Sequence, residues 1–347
     1  METPILYFNV LNFRSNTPNR ETTSVAEYRL LNYAGPKGKA MPGILVADKV
    51  LDLGKSIAIY KRKNPVKFGF DSTLAVFADW PKAKLALKKI ADEFTKSPKS
   101  AYAKIAVPLK RVKLLAPILY PSSVFCIAAN YRDHTMEMGN TGVMPDKETR
   151  TPVFFQKTPA QTIVGHNAKI HLPLTSTAID WEAELAIVIG KPCYNVSKEK
   201  ARDYVAGYMV LNDMSIRGPK LEDAVTPELK KFRNDRFRRK NFDGSCPIGP
   251  WMTPKDFVKD PYDLPIQLWV NGELMQNGNS RDMHYNIEEQ ISYLSQNITL
   301  QPGDVITTGT PAGVGKGKGM FLKAGDKITT TVGNLGTLET SFIPPKE

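Results

Sequence analysis

Residues 182–190, EAELAIVIG, put Glu182 and Glu184 two positions apart at the head of an otherwise apolar run that stops at Gly190. A short apolar run with β-branched residues and a closing glycine predicts a buried strand. On a strand, residues two apart leave the same face. Two like charges side by side in such a place are costly unless they are solvated or neutralised. An isolated E-x-E is ordinarily a solvated face, but the flank LAIVIG argues for burial, and a divalent cation is the usual remedy. The chain must therefore fold so that more ligands reach this strand. Asp213, at the end of the next apolar strand, YMVLND, is the next candidate. Three carboxylates without cysteine make a hard oxygen site, which selects Mg²⁺, Mn²⁺ or Ca²⁺ over zinc.

Around this strand the chain reads as β-rich. The stretches ILYFNVLNF, AEYRLLNY and GILVADKVLDL alternate in the first third and predict strands joined by turns. Residues 81–95 instead place Leu87, Ile90, Ala91 and Phe94 at helical spacing behind Pro81, so an amphipathic helix is expected. VPLKRVKLLAPILYPSS, with Pro108, Pro117 and Pro121, reads as a connector, which divides the chain into domains 1–115 and 116–347. Further on, Ser197 can cap a short helix over KEKARDYV that leads through Gly207 into YMVLND. PIQLWV, Asn271-Gly272 and ELMQNG predict a hairpin, and VITTGT another strand. Mostly strands with short helices between them favour an α+β, β-rich fold over a doubly wound parallel sheet.

Bulk properties exclude several classes. With 347 residues, 41% of them hydrophobic and 24% charged, the chain can bury a sizeable core. No apolar run approaches the roughly 18–20 residues of a membrane span, and METPILYFNV lacks the features of a secretory signal. Cys126, Cys193 and Cys246 are far apart and odd in number, which suits buried thiols in a reducing compartment, the cytoplasm. The net charge of +12 suggests a polyanion partner until it is divided. Residues 1–115 carry 21 Lys and Arg against 9 Asp and Glu, and the remainder carries 26 of each. A basic patch there could steer anionic substrates. The scattered charge, with no recognition motif, predicts no specific nucleic-acid binding.

Three more features bear on chemistry. His134 and Glu137, in NYRDHTMEMG, become neighbours on a helix, and a carboxylate beside an imidazole makes a general base. Lys240 closes the basic run RFRRK; it is either a surface charge or a group that orients a carboxylate or stabilises an enolate. The glycine-rich GTPAGVGKGKG fails as a phosphate loop. With Gly315-Lys316 in register, Thr310 stands where the first glycine belongs and Gly317 where Ser or Thr should follow.

Together these segments resemble the fumarylacetoacetate hydrolase family. NYRDHTME is similar to N-Y-x-x-H-x-x-E, PVFFQK to P-x-x-F-x-K, DWEAELAIVIG to D-x-E-x-E, and NDMSIR to N-D-x-S-x-R. KNFDGSCPIGP matches K-x-F-D-x-x-x-P-x-G-P, TTGTPAGVG matches T-x-G-T-P-x-G-V-G, and the order is the family's over roughly residues 120–342. The resemblance implies a mixed β-roll catalytic domain, usually a homodimer, behind a smaller N-terminal domain. It implies Mg²⁺ or Mn²⁺ on Glu182, Glu184 and Asp213, a His134–Glu137 dyad on a mobile lid, and a catalytic Lys240. It also implies substrate contacts from Lys157, Arg217 and Thr310. Asp213 and Lys240 stand 27 apart, a longer separation than the family's, with GPKLEDAVTPELKKFRNDR between them.

The implied activity is metal-dependent hydrolysis of a C–C bond in a small anionic β-diketo or acylpyruvate-type acid, as in aromatic-compound catabolism. Isomerisation or hydration of a dienoic keto acid and keto-acid decarboxylation are the enzymatic alternatives. From another class, the chain could be a polyanion-binding protein on a disused enzyme scaffold.

Overall fold

The computed structural model describes residues 26–97, 99–217 and 235–346. The strand read in ILYFNVLNF and most of the long stretch between Asp213 and Lys240 lie outside them. Among the described residues, one mixed sheet of twelve strands runs through the molecule. Its central order is Arg29–Ala34, Cys246–Pro254, Val205–Asn212, Ala183–Ile189, Val305–Thr307, Val124–Ile127 and Phe154–Lys157. A second sheet of five strands contains the hairpin Pro265–Val270 and Glu273–Asn279, then Lys327–Val332, Thr337–Ile343 and Ala168–His171. This is the α+β, strand-rich architecture expected, and Asn271 and Gly272 turn the hairpin with φ of 52° and 87°.

The strand Ala183–Ile189 shows why its sequence is apolar without alternation. Leu185, Ile187 and Ile189 enter one core, while Ala186 and Val188 enter a second on the opposite face. Both faces are covered, so both must be apolar. The second core is roofed by the helix Trp80–Lys96, which buries Trp80, Ala83, Ala86, Leu87, Ile90 and Ala91. The 182–190 segment thus forms its strand one residue inside each predicted end, leaving Glu182 just before its first residue.

Two local expectations need correction. Ser197 sits at the helix start but makes no side-chain cap, and the helix spans only Lys198–Ala201 before a 3₁₀ turn, Arg202–Tyr204. The next strand begins at Val205, so Gly207 lies inside it. A side chain at Gly207 would strike Met252 and Thr253 of the adjacent strand, so close approach of the neighbouring strand is what requires glycine there. The proline-rich segment read as a connector contributes strands of its own. Ala106–Pro108 pairs with Lys49–Leu51, and Leu114–Leu115 with Asn32 and Tyr33. Leu30 pairs with Met252, so the sheet is continuous from the N-terminal strands into the C-terminal part of the chain.

Candidate metal centre

Glu182, Glu184 and Asp213 converge, all buried, with one potential ligand oxygen from each lying within 4.8 Å of the others. The antiparallel pairing of Ala183 with Asn212 brings the head of one strand beside the tail of the next. Asn212 tightens this corner by accepting the Glu182 amide at 2.9 Å, and Asp213 donates its own amide to the Glu182 carbonyl at 2.8 Å.

Three cations surround the acids. Lys240 Nζ lies 2.6 Å from Glu182 Oε2 and 2.7 Å from Asp213 Oδ2. Its side chain is 12% exposed, which rejects the surface-charge alternative. Lys157, fully enclosed, reaches Asp213 Oδ1 at 2.9 Å and donates to the carbonyls of Met214 and Lys240. Arg217 spans Asp180, at 3.0 Å, and Glu182. Burial pushes the Glu182 carboxyl up, but Lys240 and Arg217 outweigh it and hold it down at about 2.

Glu184 is different. Among the described residues it accepts the Gly309 amide at 2.6 Å and pairs with no cation. Burial, then the neighbouring Asp213 and Glu182 charges, push its carboxyl well above the usual carboxylate range. A buried carboxylate crowded by two others and lacking a counterion fits a divalent cation on hard oxygen ligands. The residues present therefore suit the Mg²⁺ or Mn²⁺ expected.

His134 and Glu137 lie on the helix Arg132–Glu137, as their spacing predicts. Asn130 anchors its start, bonding Thr308 O at 2.8 Å, Tyr285 O at 3.0 Å and the Tyr285 amide at 2.7 Å. His134 Nδ1 stands 3.6 Å from Glu137 Oε2, an ion-pair separation rather than a hydrogen bond. The imidazole is close enough for its charge to bear on Glu182.

The glycine-rich segment rejected as a phosphate loop has another use. Its main-chain amides bind acids in succession: Gly309 to Glu184, Ala312 to Asp133, Gly313 and Val314 to Glu137, and Gly315 and Lys316 to Asp180. Within it, Thr310 donates to the Ala183 carbonyl and accepts from Gln276, both at 2.8 Å.

All nine site residues from the sequence reading thus lie on this centre or its flank. Two contributors escaped it. Asp180 is fully buried and joins Arg217 to the glycine-rich segment; it stands two before Glu182, and the same alternation could have flagged it. Gln276 is also fully buried, accepting the Ala183 amide at 2.9 Å and donating to Pro311 O at 2.8 Å. It comes from the other sheet, and nothing local in ELMQNG marks it.

The chain is similar to known proteins in sequence and in fold. Residues 123–343 match the family described as fumarylacetoacetate (FAA) hydrolase C-terminal. The oxaloacetate tautomerase YisK of Bacillus subtilis (strain 168) is 38% identical over 306 residues, 86% of this chain and 95% of the relative. The 2,4-didehydro-3-deoxy-L-rhamnonate hydrolase of Sphingomonas sp. (strain SKA58) is 35% identical over 308 residues, 87% of this chain and 92% of the relative. In crystal, the maleylpyruvate hydrolase of Sphingobium sp. SYK-6 with manganese(II) and pyruvate superposes with a TM-score of 0.68 at 30% identity, covering 92% of this chain and 100% of that one. Among the described residues no helix is long and apolar enough to cross a membrane. The chain belongs to the fumarylacetoacetate hydrolase family.

Proposed function

We propose that this chain hydrolyses a C–C bond in a small acylpyruvate-type or β-diketo acid, with a divalent cation on Glu182, Glu184 and Asp213. The observation that carries the reading is the buried Glu182, Glu184 and Asp213 triad, with the His134–Glu137 pair near enough to bear electrostatically on Glu182. The bound cation supplies a Lewis acid for adjacent carbonyl and carboxylate oxygens of the substrate. The ammonium of Lys240, paired with Glu182 and Asp213, supplies positive charge for the substrate's anionic end. Lys157, Arg217 and Thr310 complete the substrate side of the site in this reading.

Glu137 faces Nδ1 of His134, so a proton held there leaves Nε2 to accept one from water. The water oxygen joins the acyl carbon, and the bond from that carbon to C3 of the pyruvyl part breaks. The electron pair leaves with the pyruvyl part, which is protonated at C3, giving pyruvate and a carboxylic acid. The reading carries with it a homodimer in the cytoplasm, with a role in breaking down aromatic compounds, and a division of the chain near residue 115.

A second reading, keto–enol tautomerisation of a 2-keto dicarboxylate such as oxaloacetate, is favoured by the Bacillus subtilis relative, which matches 86% of the chain. It uses the same base to move a C3 proton and breaks no carbon–carbon bond. Acylpyruvates and enol-oxaloacetate assayed with Mn²⁺, Mg²⁺ or chelator separate the two. Cation-dependent release of pyruvate and carboxylic acid from an acylpyruvate supports hydrolysis. Loss of enol absorbance from oxaloacetate, with acylpyruvates untouched, replaces it with tautomerisation.

A further inference from the structure

We infer that Lys240 is an internal competitor for the cation, holding two of the carboxylates that the cation needs and so setting how tightly the centre binds it. The inference rests on the metal-centre reading above and concerns affinity rather than the reaction. The three cations around the acids are not equivalent. Lys157 is tied to the protein frame by the Met214 and Lys240 carbonyls and by Ser245 Oγ at 3.3 Å, in addition to Asp213. Arg217 is tied to Asp180, itself held by the Trp181, Gly315 and Lys316 amides. Lys240 Nζ, among the described residues, bonds only Glu182 Oε2 and Asp213 Oδ2, both members of the candidate triad.

A divalent ion on these oxygens would come within a few ångströms of the ammonium, in a buried place where like charges repel strongly. The ammonium must give ground, or the ion must bind less tightly. The fold offers somewhere to go: Nζ already lies 5.1 Å from the centroid of the Phe155 ring, within cation–π range. Lys240 also ends a five-residue helix, Arg236–Lys240, whose N-terminal side-chain cap is a single bond, Asp235 Oδ1 accepting the Arg238 amide at 3.1 Å. The acids thus have a resident counterion with which an incoming cation must compete. Neutralising the lysine should raise cation affinity, whereas removing a residue that merely shapes the ligands should lower it.

Calorimetric titration of the full-length protein with Mn²⁺, as wild type, Lys240→Met and Lys240→Arg, tests this. Lys240→Met should bind Mn²⁺ more tightly by about tenfold or more, and Lys240→Arg, which keeps the charge, should stay near wild type. Lys240→Met leaves two acids short of a partner, so its melting temperature is read with and without Mn²⁺. The rise on adding Mn²⁺ should exceed that of wild type, because a more tightly bound ligand stabilises more. Equal or weaker affinity in Lys240→Met overturns the inference, and so does an equal gain in Lys240→Arg. Absence of Mn²⁺ binding in all three proteins sinks the metal centre itself, a failure distinct from a wild type that binds and a Lys240→Met that binds no better.

Discussion

The Glu137 carboxylate straddles the Gly313 amide, accepting its hydrogen at 2.9 Å through one oxygen and 3.0 Å through the other. Burial alone would raise this carboxyl; His134 and the Gly313 and Val314 amides outweigh it and hold it below the usual range. Glu137 is therefore anchored at its base by a helix and at its tip by backbone.

That anchoring can be disturbed without touching Glu137. A methyl group at Gly317 would land on Glu137 Cγ and Oε1, so Gly317→Ala should push the carboxylate off His134. The expected result is a fall in kcat of about tenfold, with Mn²⁺ affinity unchanged. A matching fall in Mn²⁺ affinity would mean that the substitution disturbs the carboxylate triad instead.

Replacing His134 with Ala should lower kcat for an acylpyruvate by roughly 10²–10⁴-fold, the usual worth of a positioned general base. KM should change less, since the triad and Lys240 remain. Glu137→Gln should cost less than His134→Ala. Retention of more than about a tenth of the wild-type rate in His134→Ala would argue that water activation is not part of the reaction.

Glu182→Gln, Glu184→Gln and Asp213→Asn should each weaken Mn²⁺ binding, by about 100-fold or more. Glu184→Gln is the most informative, because Glu184 has no cation partner among the described residues and its loss leaves no lysine or arginine stranded. Wild-type-like affinity in two of the three would remove the assignment.

Gln276→Leu should destabilise the fold by about 2–3 kcal/mol, since it strands the Ala183 amide and the Pro311 carbonyl in a dry interior and removes the bond that the Thr310 hydroxyl accepts. Urea unfolding followed by circular dichroism measures it. A loss below about 0.5 kcal/mol would show that water or a neighbour takes over these bonds.

What could be read in advance was what local alternation controls. Glu182 and Glu184 were legible because a strand forces every second residue to one face, and His134 with Glu137 because a helix brings the third residue round. Lys240 was ambiguous: its neighbours in RFRRK are solvated, and only Glu182 and Asp213, 58 and 27 residues away, draw it inward. The pairing of Leu30 with Met252 joins segments more than 200 residues apart and leaves no mark on either. The Ser197 cap failed for a related reason, since the strand to 212 begins early enough to cut the helix to four residues.

The strip of amides from Gly309 to Lys316 serves acids on three different segments through peptide groups alone. At the donating positions, proline apart, side-chain identity then matters little and bulk decides. A methyl at Gly313 would strike the Met275 carbonyl, and one at Gly315 the Met320 carbonyl, while Ala312 and Lys316 already carry side chains. In a library saturating this segment, Gly313 and Gly315 should admit almost no replacement, whereas Ala312 and Lys316 should drift freely. The tolerance map would look like that of a structural turn, although the residues it protects hold the reactive groups of another helix and another strand.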